Sequence, residues 1–333
     1  MKFRFITCGL LVLSLCTTVF GASGTGAKDP VMTLTVASTQ PTSHVAYPCY
    51  ETLKENIEKR TEGAIAVEIY TDAALGSDTD NVEQVKNGAT LISCAGVAML
   101  DSIVPDMSIL GAPYLFEDSM DYEKLNDSEW FESIRGMFAD EGIKIFDLAY
   151  CGDRYLLTHN KVTSPEDVKG QTLRSHTSPM YFEICNALCG GTATTMAWSE
   201  VYSALSQGVI DAAEGPVGDI VAAKLYEVVE HMALTHHMTL LNVHMMSENV
   251  FESIPDEYKD IVEEELENCC ANYSELIKAS EEANIQAMAD NGVEVNEVDI
   301  DAFKTVTEPV YDKFPDWSPN LKETVRSAVG YTD

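Results

Sequence analysis

Basic residues are scarce in this chain: 21 lysines and arginines stand against 54 aspartates and glutamates, and only six of the 21 are arginines. A formal charge of −33 over 333 residues argues against nucleic acid and anionic bilayers as partners, because both would be repelled. The same charge keeps an exported protein soluble, which is reason enough for it. Catalytic signatures are missing as well. There is no G-x-S-x-G elbow, no P-loop and no G-x-G-x-x-G behind a strand, since "GASGTG" at Gly21 follows no strand. Carboxylates abound, yet no pair stands out as an acid/base couple, so an enzyme has no support and no cofactor is expected.

Cysteine spacing is equally uninformative for metals. No C-x-x-C occurs, which argues against zinc. Beyond the first 24 residues seven cysteines remain, Cys49, Cys94, Cys151, Cys185, Cys189, Cys269 and Cys270. Seven is odd, so at least one has no partner in the chain. Cys185 and Cys189 lie four apart on an expected helix and Cys269 and Cys270 are adjacent, a poor framework for disulfides. They read as buried thiols of a protein from a reducing habitat.

Long apolar runs are missing too, except one. Lys2 and Arg4 precede "FITCGLLVLSLCTTVF", and the small residues "GASG" follow. The run falls short of the ~20 apolar residues of a membrane span. It reads as a signal peptide over residues 1–24, cut near Gly21 to Gly24, with a retained anchor as the alternative. A lipid anchor is disfavoured by Leu15 before Cys16. Removing the leader takes two basic residues and the charge from −33 to −35.

What is present is an alternation of strands and helices. "TLTVAST", "AIAVEIY", the apolar run "TLISCAGVAML" and "IKIFDLAY" read as strands. Between them lie helices through "YETLKENIEKRTEG", "NVEQVKNG" and "EWFESIRGMFADEG". Such spacing predicts parallel α/β units with strands buried on both faces. The second half repeats this grammar: strand "GQTLRSH", a helix from Ser178 and Pro179 to Gly190, strand "TATTMAW", and a helix capped by Ser199. Strand "VIDAAEG" and a helix through "VAAKLYEVVEHM" follow, then a long helical segment from Pro255 to Asn291. The length exceeds what one core supports. Two lobes joined by crossing segments fit it best.

Arg154 and Arg174 lie within 21 residues of each other. Arg174 is expected at the end of a parallel strand, just before a helix N-terminus, where ligands of open α/β sheets collect. A guanidinium there offers a planar fork matched to a carboxylate, an anion cradle that lysine cannot imitate. A surface ion pair with a nearby acid is the alternative. His44 and His176 also follow strands on the same edge. His231, His236, His237 and His244 invite a metal site, but on a strand His236 and His237 would face opposite ways, and no metal is expected.

The segment "MAWSEVYSALSQGVIDAAEGP", Met196 to Pro216, resembles the signature of the DctP-type solute-binding receptors of tripartite ATP-independent periplasmic (TRAP) transporters. So do "GDRYLLTHNKVTSPEDVKGQTLR", "AALGSDTDNVEQVKNG" and "VPDMSILGAPYLF", in order and at matching spacing. The resemblance implies an α/β, two-lobe periplasmic binding protein fold (type II-like), with crossing strands and a long helix linking the lobes. Lobe I would comprise 30–151 plus about 241–280, and lobe II 152–240 plus about 281–333. It implies a periplasmic, monomeric, non-catalytic receptor that closes on a small organic acid and passes it to the integral membrane subunits of a sodium-coupled TRAP permease.

By the same resemblance Arg174 grips the ligand carboxylate, Trp198 packs beside it, Arg154 adds a second contact, and Thr177 is a further pocket position. Thr39, His44, His176 and Met99 complete the expected site. Gly215 stands where the family usually has asparagine, so one polar contact is missing there or replaced by backbone. "CAGVAM", Cys94 to Met99, supplies no charged or amide group, which implies a less polar wall and an acid with an apolar or aromatic body. A C4-dicarboxylate, a sugar acid, or a sensing role beside a signalling system are the alternatives.

Overall fold

The computed structural model describes residues 29–332; the expected signal peptide lies outside them. Among the described residues ten strands form: β1 Met32–Ala37, β2 Ile65–Tyr70, β3 Leu91–Gly96, β4 Ile143–Thr158, β5 Arg174–Ser175, β6 Thr194–Thr195, β7 Ala212–Pro216, β8 His231–Ala233, β9 Thr239–Ser247 and β10 Glu294–Asn296. The main sheet runs β10-β8-β4-β9-β3-β1-β2, with β7 also paired to β4. β1 lies parallel to β2 and β3, as the strand–helix alternation predicts. β9, however, returns between β3 and β4 and is antiparallel to both. The sheet is therefore mixed, because alternation gives parallel neighbours only where successive strands lie side by side.

β4 joins the two lobes. Its first part, Ile143 to Asp153, pairs with β9. From Arg154 to Thr158 it pairs instead with β7, and Leu156 to Thr158 also pair with β8. At the handover stands Gly152, with φ +111° and a Cβ position only 3.1 Å from Pro216 Cβ. Only glycine combines that backbone with that approach. Two cores form, and the larger also takes in Leu173, Ile184 and Leu188. Leu34, Ile57, Ile92, Phe131 and Leu148 belong to the larger, Leu157, Val201, Ile220 and Met232 to the smaller. The helix Asp256–Asp290, 35 residues and so about 50 Å long, gives Leu266 and Cys270 to the larger core and Met288 to the smaller. It is the linking helix expected from Pro255 to Asn291.

Several local expectations need correction. The Arg174 strand shrinks to β5, paired in parallel with β6, and Arg174 begins it rather than ending it. Ser178 does precede the Pro179–Cys189 helix, but its hydroxyl donates to the Ala98 carbonyl (2.8 Å) instead of capping. Ala197, not Ser199, precedes the Trp198–Ser206 helix, and Glu200 reaches back to the Ala197 N–H. The helix expected through "VAAKLYEVVEHM" stops at Ala222: Lys224 adopts φ +54°, a 3₁₀ turn follows, and His231 enters β8. The adjacent β-branched Val228 and Val229 favour extended chain there. Residues 281–333 divide: Ile300–Thr307 packs on Pro179–Cys189, whereas Leu321–Ala328 packs on Glu129–Asp140, beside the first lobe. Burial of Leu321 and Val325 holds it there.

Gly152→Ala is expected to cost about 1 to 3 kcal/mol of stability through the left-handed backbone alone, with further strain against Pro216. Urea unfolding of leader-free protein measures this; an unchanged midpoint would show that the handover can relax.

Candidate ligand-binding site

A cavity of about 630 Å³ opens between the lobes, within the range of small-molecule sites. Its walls include Arg154, Arg174, Trp198, Thr177, Thr39, His44, His176 and Met99, so eight of nine residues expected from the sequence meet there. Gly215 does not line it. A Cβ at Gly215 would lie 3.1 Å from the Trp198 ring, so the missing side chain makes room for the indole rather than removing a ligand contact. A larger open groove of about 950 Å³, lined by Glu117, Asp153, Lys304 and Lys322 among others, contains none of the nine.

Arg174 is 2 % exposed, although arginine is almost never fully buried without a partner. Its Nε and Nη2 donate to one carbonyl, Met196 O, at 3.1 and 2.8 Å. Its guanidinium carbon sits 5.3 Å from the centre of the Trp198 ring, a cation–π contact. Among the described residues it pairs with no acid, so the surface ion pair is not what forms. Five N–H donors less two leave three, including the outer edge shared by Nη1 and Nη2. Burial pushes its pKa down from the ordinary value, Glu214 opposes the shift and Arg154 adds to it. The group remains a cation, held in place and short of a counter-charge.

Arg154 is differently placed. Facing β7 two positions from Glu214 in the register, it binds that carboxylate with Nε and Nη2, the latter at 2.5 Å from Oε1. His237 Nε2 approaches the same carboxylate at 3.3 Å, and its Nδ1 meets Thr235 Oγ1 at 2.8 Å. Burial alone would raise the Glu214 pKa; Arg154 and His237 hold it well below the usual carboxylate range. Arg154 is thus neutralised from within, and only Nη1 is left towards the cavity. Its side chain ties β4 to β7 beside the handover.

The remaining walls are more polar than "CAGVAM" suggests, because other elements supply them: Gln40, Asp78 at the start of the Asp78–Lys86 helix, Asn242 on β9 and Asp219. Asn242 Nδ2 donates to Cys94 Sγ at 3.5 Å. Tyr50, Tyr181 and Tyr273 add aromatic surface. His176 Nδ1 accepts from the Ser178 N–H at 3.1 Å, and burial beside Arg174 and Arg154 lowers its pKa to about 4. All seven described cysteines are free, six of them buried. Burial, with Asp78 nearby, pushes the Cys94 thiol up to about 12, so it is no nucleophile.

Neither His236 nor His237 lies on a strand. His236, at φ +42°, stacks edge-on against Tyr155 and meets Asp153. His244 Nδ1 contacts Cys270 Sγ. His231 lies 3.8 Å from Glu294. Among the described residues no group of three or more His, Cys, Asp or Glu could hold a metal.

The bacterial extracellular solute-binding protein family 7 (DctP) profile matches residues 36–316. The chain belongs to that family. It is a DctP-type receptor of a TRAP transporter, and the receptors of this class are substrate-binding proteins rather than enzymes. A solute-binding protein of Chromohalobacter salexigens is 29% identical over 287 residues, 86% of this chain and 85% of that protein. The sialic acid-binding periplasmic protein SiaP of Vibrio cholerae serotype O1 is 26% identical over 310 residues, 93% and 94% of the two chains. A TRAP periplasmic solute-binding protein from Fusobacterium nucleatum, solved with bound sn-glycerol-3-phosphate, superposes with a TM-score of 0.83. It is 29% identical and covers 90% of this chain and 97% of its own. The receptor therefore has the two-lobe periplasmic binding fold expected from its motifs.

Sequence reasoning about the receptor missed Glu214, Asp78, Asp219, Asn242 and Tyr181. Glu214 alone had a local signal, the glutamate of "AAEGP"; Asp78, Asp219 and Tyr181 are brought in by the first turns of helices and Asn242 by β9.

Removing Arg154 leaves Glu214 buried with only His237 beside it, so Arg154→Ala is expected to destabilise the receptor by about 3 to 5 kcal/mol, measured by denaturant unfolding without ligand. Glu214 ionises more readily folded than unfolded. Its contribution is therefore present above the ordinary carboxylate pKa of about 4.3 and lost as pH falls through and below it. Glu214→Gln should flatten the acid limb of stability against pH; an acid limb as steep as wild type would remove the pair from this account.

Proposed function

We propose that this receptor captures a small organic acid outside the cytoplasm by seating its carboxylate on the open edge of Arg174. The observation that carries the reading is that edge: a guanidinium buried in the interlobe cavity, braced by the Met196 carbonyl and Trp198, with its outward fork unpartnered. A carboxylate fits the fork with two parallel hydrogen bonds, and the indole keeps water from them. Arg154, already neutralised by Glu214, contributes at most a donor and chiefly holds the wall. Thr177, Thr39, His44, His176 and Met99 complete the contacts.

Closure follows from placing the anchor on one lobe and the opposing wall on the other. A ligand touching both shifts the open–closed balance by its preference for the closed form. The loaded receptor, a monomer exported by its signal peptide, then delivers the acid to TRAP membrane subunits that run on sodium. Tyr50, Tyr181, Tyr273, Trp198 and Met99 favour a ligand body with apolar or aromatic surface. Relatives named for sialic acid or solved with sn-glycerol-3-phosphate show that anionic ligands of other shapes suit this fold.

Arg174→Ala is expected to lower affinity by roughly 3 kcal/mol or more, and Arg174→Lys nearly as much, because the fork is lost. A thermal-shift screen of organic acids on leader-free protein identifies a binder, and calorimetry on both variants measures the loss. Wild-type affinity in either variant would reject the anchor. Tight binding of sialic acid or a uronate with no binding of aryl or branched acids would reject the apolar body.

A further inference from the structure

The cavity is lined by charged groups of both signs. With Arg154 compensated by Glu214, one cationic group, Arg174, faces it without a counter-ion. Asp78 and Asp219 line the same cavity and lie close enough that the charge of Asp219 raises the Asp78 pKa, after burial. Neither makes an ion pair with lysine or arginine among the described residues. The nearest basic group paired with Asp219 is His44, whose Nε2 stands 4.0 Å away, beyond hydrogen-bond reach, and Arg154 acts on it from farther off. That ring accepts the Ala46 N–H on Nδ1, and burial lowers its pKa. Burial lifts the Asp219 pKa to about 6, against the pull of Arg154.

A second observation points to an occupant. The Tyr181 side chain, 5 % exposed, lines this cavity, and its buried hydroxyl has no hydrogen-bond partner. Such a group is costly to leave unmet. Tyr273, 6.1 Å from His44 by ring centres, and Tyr50 offer aromatic surface beside the aspartates, a surrounding that suits a positive charge. A plain carboxylate would satisfy Arg174 and leave two aspartates facing each other; a dianion or phosphoester would add repulsion.

We infer that the acid taken by this receptor is zwitterionic: its carboxylate lies on Arg174 and a protonated or quaternary amine at its other end lies between Asp78 and Asp219. Tyr181 donates to a polar atom between the two. The inference rests on reading Arg174 as the carboxylate anchor. The Asp78 and Asp219 carboxylates come from opposite lobes, so a cation between them also draws the lobes together.

Matched probes differing only at the far end test it on leader-free protein. One set is 5-aminopentanoate, hexanoate and adipate; another is 4-(aminomethyl)benzoate, 4-ethylbenzoate and 4-(carboxymethyl)benzoate. The amine is expected to give the largest melting-temperature shift in each set and at least ten-fold tighter binding by calorimetry. Asp219→Asn and, separately, Asp78→Asn should each erase at least ten-fold of that preference, with ligand-free unfolding showing that the variants fold. Equal or tighter binding of the methyl or dicarboxylate probes, or an amine preference untouched by both variants, overturns the inference. The anchor fails separately: Arg174→Lys would then bind every probe as well as wild type does, whatever its far end.

Discussion

A guanidinium buried without a counter-anion is among the more expensive things a fold can hold, and this receptor is organised around one. Arg174 is kept in place by a single carbonyl and an indole face, which orient it without cancelling its charge. Everything else in the cavity follows from not cancelling it. The neighbouring arginine is neutralised by Glu214, and the neighbouring histidine stays neutral. The residual attraction for an anion is left to whatever enters.

The fold makes that arrangement possible by passing one strand through both lobes. β4 changes partners from β9 to β7 at Gly152 and Arg154, so the buried Arg154–Glu214 pair sits where the lobes join. A buried pair is a weak source of net stability but a strong constraint on geometry, because neither member can leave without exposing the other. In consequence the strand handover and the cavity wall are one structural unit. The long helix spans both cores and gives the lobes a common spine while leaving the cavity face free to open.

Much of the fold was legible because it rests on local rules. Hydrophobic periodicity located β1, β2 and the flanking helices, and the polar-faced stretch to Asn291 located the long helix. Failures came where distant contacts override local preference. The Ser178 hydroxyl bonds across to Ala98 instead of capping its helix. Val228 and Val229 follow a left-handed Lys224 rather than continuing a helix. β9 reverses the sheet by returning from the other lobe. Thr39, His44, His176 and Thr177 reach the cavity from segments between a strand and a helix, a placement that chain order already encodes, whereas Arg154 and Arg174 reach it from within strands and Trp198 from the first turn of a helix.

The sequence by itself determined the strand–helix grammar and, through the resemblance of its motifs, the two-lobe family, because local periodicity and the order of motifs along the chain suffice for those. Tertiary structure alone decided which arginine is free. Arg154 and Arg174 are chemically identical, and only the register of β4 against β7 delivers Glu214 to one of them and leaves the other to Met196. The opposing aspartates were hidden for the same physical reason: electrostatic neighbours are set by distance through space, and Asp78 and Asp219 are 141 positions apart along the chain.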